Sequence, residues 1–588
     1  MATLVPRIYQ GFRGVDFRGE ECELFRSPDS LNMWRDYKET DSVRTRPGME
    51  KFYAFGDYGN GINGLYFYKD AVLVHWRNDL WKLKDGERER LDPTIPGFNL
   101  LNVRSHGFVF EDKLYIMDGY SYFCYDGDNF TPVYSFNMSI YEEDRSYVPT
   151  TSIGRKPSGG GTPYEDVNML SPFRKNSFRG DGESTVYHLD AQNLDLAHPV
   201  VWVNGVEVRG MDETYMYTWD EVEGTVTFIN TAPPAPLTDG QDNVVIKFQK
   251  RVDGYAEKII GCTLSQVFDN RVFVTGNPNY PNMVWHSSLN DPTYFSDLDY
   301  YREGMDDAKI TGMVAGNNAL WVFREPSDAN TTAFYHTPTL DDQYGKIYPS
   351  VHSSVSLGCV GAAINFNDDI VFFSQRGMEG ISGDITTEQV AAHRSSLVDR
   401  KLLAEADYKN MMLVEWEGYL LVFVGSKVYL ADSRTAFTIE NHIEYEWLYW
   451  DLGMEVTYAK VHDGVLYLGA GNCIYTLTDM EADVESYWVT PKDKFQHPHK
   501  LKTTSKRGCV VEATTGVPPL WQGDISVYAK TENTEFELIG EYMNVKDYFV
   551  SRIKMKKFKD LQLKFASSTR FSLESVTLEA FVGGYIKR

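Results

Sequence analysis

One seven-residue phrase recurs along this chain and constrains its fold more than any other feature. It runs from an aromatic or apolar residue through a small acidic or amide turn into three or four apolar residues. Clear copies are YKDAVLV (68–74), FEDKLYI (110–116), FDNRVFV (268–274) and FNDDIVF (366–372). Looser ones are GNNALWV (316–322), WEGYLLV (416–422) and VHDGVLY (461–467). An Asp-Gly or Asn-Asp pair between apolar runs is a hairpin signal. The copies at 68 and 110 start 42 residues apart, and those at 268, 316, 366, 416 and 461 are separated by 48, 50, 50 and 45. A four-stranded propeller blade takes about 40–50 residues. The spacing predicts an all-β chain built as a β-propeller of about seven blade repeats.

One gap breaks the rhythm: 158 residues separate the copies at 110 and 268. Removing one blade leaves about 110 residues, enough for an inserted domain. The insert opens after the Gly/Ser/Pro linker SIGRKPSGGGTP (152–163) and closes near Gly254. Within it STVYHLD, PVVWVNGVEV, GTVTFI and NVVIKFQ alternate as short strands do, predicting a small β-sandwich. After about residue 480 the phrase is lost, and DISVYAKT, FELIGEYM, LQLKFAS and VTLEAFV predict a second sandwich. The expected division is 1–150 for an N-terminal segment and the first blades, 151–255 for the insert, 256–479 for the remaining blades, and 480–588 for the C-terminal sandwich.

Composition agrees with strands and turns. The 588 residues include 38 Tyr, 33 Phe, 12 Trp and 47 Gly, which favour pleated surfaces and the bends between them. Lys and Arg number 58 against 83 Asp and Glu, a net charge of −25. Such an excess argues against a protein that grips nucleic acid, though not against a passage through which DNA slides. The start, MATLVPRIYQGFRG, lacks a secretory pattern, and no window reads as a membrane span. The six cysteines are widely spaced and read as free thiols of a reducing compartment.

Motifs of chemistry are weak. Gly59, Gly61 and Gly64 match a dinucleotide fingerprint but lead into a strand instead of a helix, so they read as a turn. His497-Pro498-His499 has no partner in sequence to complete a metal shell, and Arg179-Gly180-Asp181 reads as a hairpin turn. No catalytic, cofactor or metal residue is assigned. Asp297, Asp299, Glu303, Asp306 and Asp307 form an acidic run read as a solvated or channel-lining surface; Asp341-Asp342 is a shorter one. Paired carboxylates of this kind would be needed for a glycan-cleaving enzyme, a third reading behind the two below.

Three segments carry a family resemblance. GFRGVDF (11–17), SPDSLNMWRD (27–36) and VRTRPGME (43–50) together resemble the amino terminus of phage tail nozzle proteins, the tail tubular protein B-like and packaged-DNA stabilisation (tail hub) propellers. The matching positions are Asn32, Met33, Asp36, Arg46, Pro47 and Gly48. GNPNYPNMVWHSSLNDPTYFSDLDYYREG (276–304) is similar to a second family phrase, matched at Asn290, Asp291 and Pro292. PYEDVNMLSPFRKNSFRGDGESTVYHLD (163–190) looks like the start of the inserted sandwich in related phage proteins.

The resemblance implies a non-enzymatic virion protein, assembled in the host cytoplasm as a homo-oligomeric ring, likened to a hexamer. It would sit below the portal and adaptor, form or gate the DNA conduit without specific DNA binding, and could touch tail fibres. It implies no cofactor and no membrane anchor. The alternative is a peripheral tail protein that binds host surface glycan.

Overall fold

The computed structural model describes residues 3–37, 42–56, 61–133, 155–159, 167–208, 214–238, 241–328, 331–342, 345–382, 390–439, 442–478, 483–516 and 522–585. The fold is all-β, and the recurring phrase proves to be its repeated hairpin. In six of the seven copies both central residues have positive φ: Glu111/Asp112, Asp269/Asn270, Asn317/Asn318, Asn367/Asp368, Glu417/Gly418 and Asp463/Gly464. That pair of conformations defines a type I′ turn, whose twist matches the flanking strands. Pairings such as Phe110 opposite Lys113 and Phe268 opposite Arg271 confirm two-residue loops. The seventh copy departs from the rule, with Lys69 alone at positive φ.

Each hairpin opens a four-stranded antiparallel sheet, the blade unit of a β-propeller, and seven such blades are present among the described residues. Blade one is Ile62–Tyr68, Ala71–Trp76, Asp79–Lys84 and Glu87–Leu91; blade two is His106–Phe110, Lys113–Met117, Tyr122–Tyr125 and Phe130–Pro132. Blade three is Leu264–Phe268, Arg271–Asn277, Tyr280–His286 and Tyr300–Arg302. Blade five spans Ala363–Phe366 to Val390–His393 and blade six Met412–Trp416 to His442–Asp451; the fourth runs from Ile310–Gly316 to Ser350–His352. Blade seven takes three strands, Tyr458–His462, Val465–Ala470 and Cys473–Thr478, from one end of the repeat array. Its fourth, Gly48–Ala54, comes from the other. Pairing first and last segments in one sheet removes an exposed edge.

By packing, the chain divides into two units: Met1–Phe67 with Gly316–Tyr335 and Val351–Arg588, and Tyr68–Ala315 with His336–Ser350. The second unit contains the insert. Its sheets, Phe173–Phe178/Val244–Gln249/Val200–Val203/Val206–Val208 and Val186–His188/Thr225–Phe228/Tyr217–Asp220, enclose Phe178, Tyr187, Val201, Val226 and Phe248.

The first unit contains the C-terminal sandwich, and here the chain is organised differently from the sequence expectation. Segments at the amino terminus belong to it. Thr3–Gln10 pairs with Phe571–Tyr585, Ser30–Leu31 with Ser486–Val489, and Val43–Thr45 with Phe571–Tyr585. The reason is packing: Tyr9, Phe12, Met33 and Trp34 fall into the same core as Trp488, Val511 and Leu578, which hides their apolar surface from water.

Candidate functional site

The residues that carry the resemblance are joints. Asn32 sits in the left-handed region, at φ 56, and is buried. Its Oδ1 accepts hydrogen bonds from Arg46 Nε at 3.0 Å and from the Asp451 backbone N–H at 2.9 Å. Its Nδ2 donates to the Glu485 carbonyl at 2.8 Å. Arg46, buried, also donates from Nη1 to the Pro47 carbonyl, and burial lowers its pKa to about 10. Met33 is in the core, and its carbonyl accepts from Trp450 Nε1. Asp36 pairs with Arg44. Pro47 then leads into Gly48, the first residue of the strand that completes blade seven. The motif therefore clasps the amino terminus to the end of blade six and launches the closing strand.

The second and third segments bond to each other. Asn168 Oδ1 accepts from the N–H groups of Leu170 and Phe295, while its Nδ2 donates to the Thr293 carbonyl. Asp297 accepts from the Val167 N–H at 3.0 Å and from the Tyr255 hydroxyl at 3.2 Å. These contacts fix one root of the insert to the loop between the third and fourth strands of blade three. Residues 163–166 of that segment lie outside the described residues, as do Gly59 of the glycine triplet and most of the 152–163 linker.

Asn290, Asp291 and Pro292 form a turn within the second of these segments. Asn290 has φ 57, Asp291 Oδ1 caps the Thr293 N–H and hydroxyl, and the Pro292 carbonyl accepts from Tyr122. The same three residues line a cleft of about 280 Å³, with Lys113, Tyr115 and Cys124 among its walls. Nothing in the sequence pattern pointed to it, because its walls come from residues 111–133 and 290–293.

The acidic run is not the solvated surface expected of it. Only Asp307 is fully exposed, 3.7 Å from Arg302. Asp297 is spent on the insert root, and Asp299 Oδ2 lies 3.9 Å from His286 Nδ1. Asp306 is half-buried, its carbonyl accepting from Asn282. Glu303 is wholly buried: Ser350 Oγ donates to it at 2.6 Å, and His336 Nε2 lies 3.0 Å from its other oxygen. That last contact is close but not aligned as a hydrogen bond. His336 Nδ1 faces the Tyr348 carbonyl at 2.9 Å. Tyr301 packs between His336 and His286, and burial lowers the pKa of His286 to about 4. The physical reason is that a carboxylate with a hydroxyl and an imidazole as partners can be buried where an unpaired one could not.

A second histidine cluster lies in the other unit and was not foreseen. His393 stands between Glu379, 3.1 Å from Nδ1, and Asp399, 2.6 Å from Nε2. Burial opposes its charge, but the bonds to Asp399 and Glu379 outweigh it and raise its pKa to about 10. Ser395 Oγ donates to the other Asp399 oxygen, so the hydroxyl faces the acid and not the imidazole. The order differs from that of a nucleophilic triad, in which imidazole takes the hydroxyl proton. Among the described residues no group of three or more His, Cys, Asp or Glu is arranged to hold a metal. None of the six cysteines is in a disulfide.

No family model matches this chain, and no curated protein does. Solved structures similar to it include an exo-β-1,3-galactanase from Phanerochaete chrysosporium, 9% identical, covering 91% of this chain and 100% of that one at a TM-score of 0.21. A glycoside hydrolase is 8% identical over 97% of this chain and 99% of its own, at 0.20. PorZ, a surface component of the type-IX secretion system of Porphyromonas gingivalis, is 11% identical over 89% and 82%, at 0.19. At these values the likenesses carry no argument about what this chain does.

Proposed function

We propose that this chain is a structural protein of a bacteriophage virion, a tail nozzle or hub subunit that forms or gates the DNA conduit below portal and adaptor. The observation that carries the reading is the use made of the three resembling segments. Asn32, Arg46, Asn168 and Asp297 are spent on holding separate parts of the chain together. That is how a scaffold uses its polar residues, whereas an enzyme keeps some of them free for substrate. The net charge of −25 fits a wall along which phosphate slides. The proposed partners are copies of the same chain in a ring and the portal and adaptor proteins. Negative-stain microscopy of the protein mixed with those proteins tests the reading: an axial ring supports it. A monomer or trimer that ignores portal and adaptor but binds intact host cells sinks it.

The cleft beside Asn290 favours one second reading, a peripheral tail protein that binds host glycan. Its volume of about 280 Å³ lies just below the usual range for small-ligand sites, and Lys113 and the exposed Asp126 in its wall offer a donor and an acceptor. Host-cell binding abolished by Lys113→Ala would support that reading; unchanged binding would remove it.

A further inference from the structure

Charge is distributed unevenly along this acidic chain. Residues 1–479 hold 41 Lys/Arg against 69 Asp/Glu, a net −28, whereas residues 480–588 hold 17 against 14, a net +3. The basic excess is concentrated in SRIKMKKFK (551–559). Arg552, Lys554, Lys556, Lys557 and Lys559 are all exposed, and among the described residues none has an ion-pair partner. Ile553 and Phe558 point inward and bury almost completely, so the cations are held on a fixed frame. Thr504 secures it: its hydroxyl donates to the Ile553 carbonyl at 2.6 Å and accepts from the Met555 N–H at 3.0 Å.

One residue of this frame is strained. Lys557 has φ 57, and the pairing with Lys500–Thr515 shifts register beside it, with Lys502 opposite Phe558 but Thr503 opposite Lys556. Lys557 is thus the extra residue of a bulge, in the left-handed conformation that residues other than glycine seldom adopt. The bulge places Lys556 and Lys557, neighbours in sequence, both in solvent. A regular strand would have turned one of them inward.

The cationic margin continues an apolar face. Along 548–556 the outward positions are Tyr548, Val550, Arg552, Lys554 and Lys556. Val550 lies opposite Val510, Val510 opposite Thr577, and Thr577 opposite Ile8, one row across four strands. Val550, Val510 and Ile8 are 44%, 39% and 49% exposed. Acids flank the strip at its two ends, Asp547 and Glu512 beside Tyr548, and Asp560 with Glu532, whose carboxylate accepts from the Lys559 N–H at 2.8 Å, beyond the lysines.

We propose that this apolar row and its basic margin are a docking surface for a second copy of the same chain, which presents acidic surface of residues 1–479 to it. Charge complementarity selects this occupant: every copy carries −28 outside the sandwich and an unneutralised cationic strip upon it. Apolar positions in register with the strip suit a protein face, since phosphate contacts alone would leave them idle. Because the two surfaces differ, the contact is heterologous, the kind that builds rings or filaments and not closed pairs. The inference rests on the ring reading above in that it supplies the contact between neighbouring subunits.

The test is sedimentation velocity on the full chain, wild type and R552E/K554E/K556E, with circular dichroism to check folding. Wild type is expected to associate at about 50 mM salt and to weaken at least tenfold, roughly, by about 500 mM, as screening shortens to a few ångströms. Charge reversal should weaken association by about a hundredfold. Mixed in large excess with wild type, the variant should cap growth at two chains, because it fills every wild-type strip and offers none of its own. V510T/V550T keeps strand propensity and should weaken association about tenfold. Wild type that stays monomeric throughout, or a charge-reversed chain that associates normally, overturns the inference. So does a strip that binds duplex DNA or anionic vesicles while association is indifferent to its reversal. Strip-dependent association without any recognition of portal or adaptor would remove the tail reading and leave this interface standing.

Discussion

Replacing Asn32 by Ala removes a side chain that ties three separate stretches of chain together. The hydrogen bond accepted from the Arg46 guanidinium is of the charged kind, worth about 2 kcal/mol, and those to the Asp451 N–H and Glu485 carbonyl about 1 kcal/mol each. Alanine at φ 56 adds roughly 1 kcal/mol that asparagine largely escapes. Shared partners make the terms less than additive, so the expected loss is about 4 kcal/mol. The loss should be local to the clasp. Hydrogen exchange read by mass spectrometry on peptides 48–54 and 442–451 should accelerate about a thousandfold, since each 1.4 kcal/mol is roughly tenfold. Asn32→Gly removes the same bonds but tolerates the backbone angle, and should accelerate exchange about fivefold less than Ala. Acceleration below about tenfold in both peptides, or a glycine variant worse than alanine, would refute the clasp.

Four further outcomes are expected. His75, His106 and His286, all in the unit Tyr68–Ala315, have pKa values lowered to about 4 by burial. Their stabilisation is complete above the unfolded value of about 6.5 and is lost as pH falls from there to about 4, so amides of that unit should lose protection in acid. His393 has the opposite sign. Raised to about 10, its contribution is complete below about 6.5 and is lost as pH climbs towards 10, so protection around 377–399 should fall in alkali, and His393→Gln should flatten that slope. Arg26 and Glu446 form a buried bidentate pair, at 3.0 and 2.8 Å; Arg26→Met alone should cost about 3–5 kcal/mol in denaturant unfolding, and R26M with E446L should recover most of it. Glu417→Asn places a residue that tolerates φ 48 before Gly418, and calorimetry should show a gain of about 0.5–1 kcal/mol.

The blades were readable because a type I′ turn demands unusual residues in a fixed place. Asn-Asn at 317–318 and Asp-Gly at 463–464 are chosen by backbone angle alone, so they mark the hairpin whatever packs around it. The amino terminus offered no such mark. Ser30–Leu31 and Met33–Trp34 are two-residue strands, too short for any alternation to register, and the partner of the first lies more than 400 residues away. Only the fold brings Trp34 beside Trp416 and Trp450, with ring centroids 5.4 and 6.0 Å away.

The acidic run fails for a related reason, and the failure bears on function. Charge along a sequence predicts exposure only when no partner is available, and Glu303 has two, His336 and Ser350, contributed by a later stretch of chain. Asp297 likewise faces Val167 and Tyr255. Part of the chain's acidity is therefore internal mortar, and only the remainder is available to face phosphate. What remains outside is the acid whose partners the fold does not supply, and the same criterion isolates the lysines at 554–557, whose partners it does not supply either. Exposed charges of both signs on one chain are met by water and counterions, and a second copy can pair them without changing the fold. That makes the paired excess a statement about assembly, and the charge-reversal mixing experiment its most direct trial.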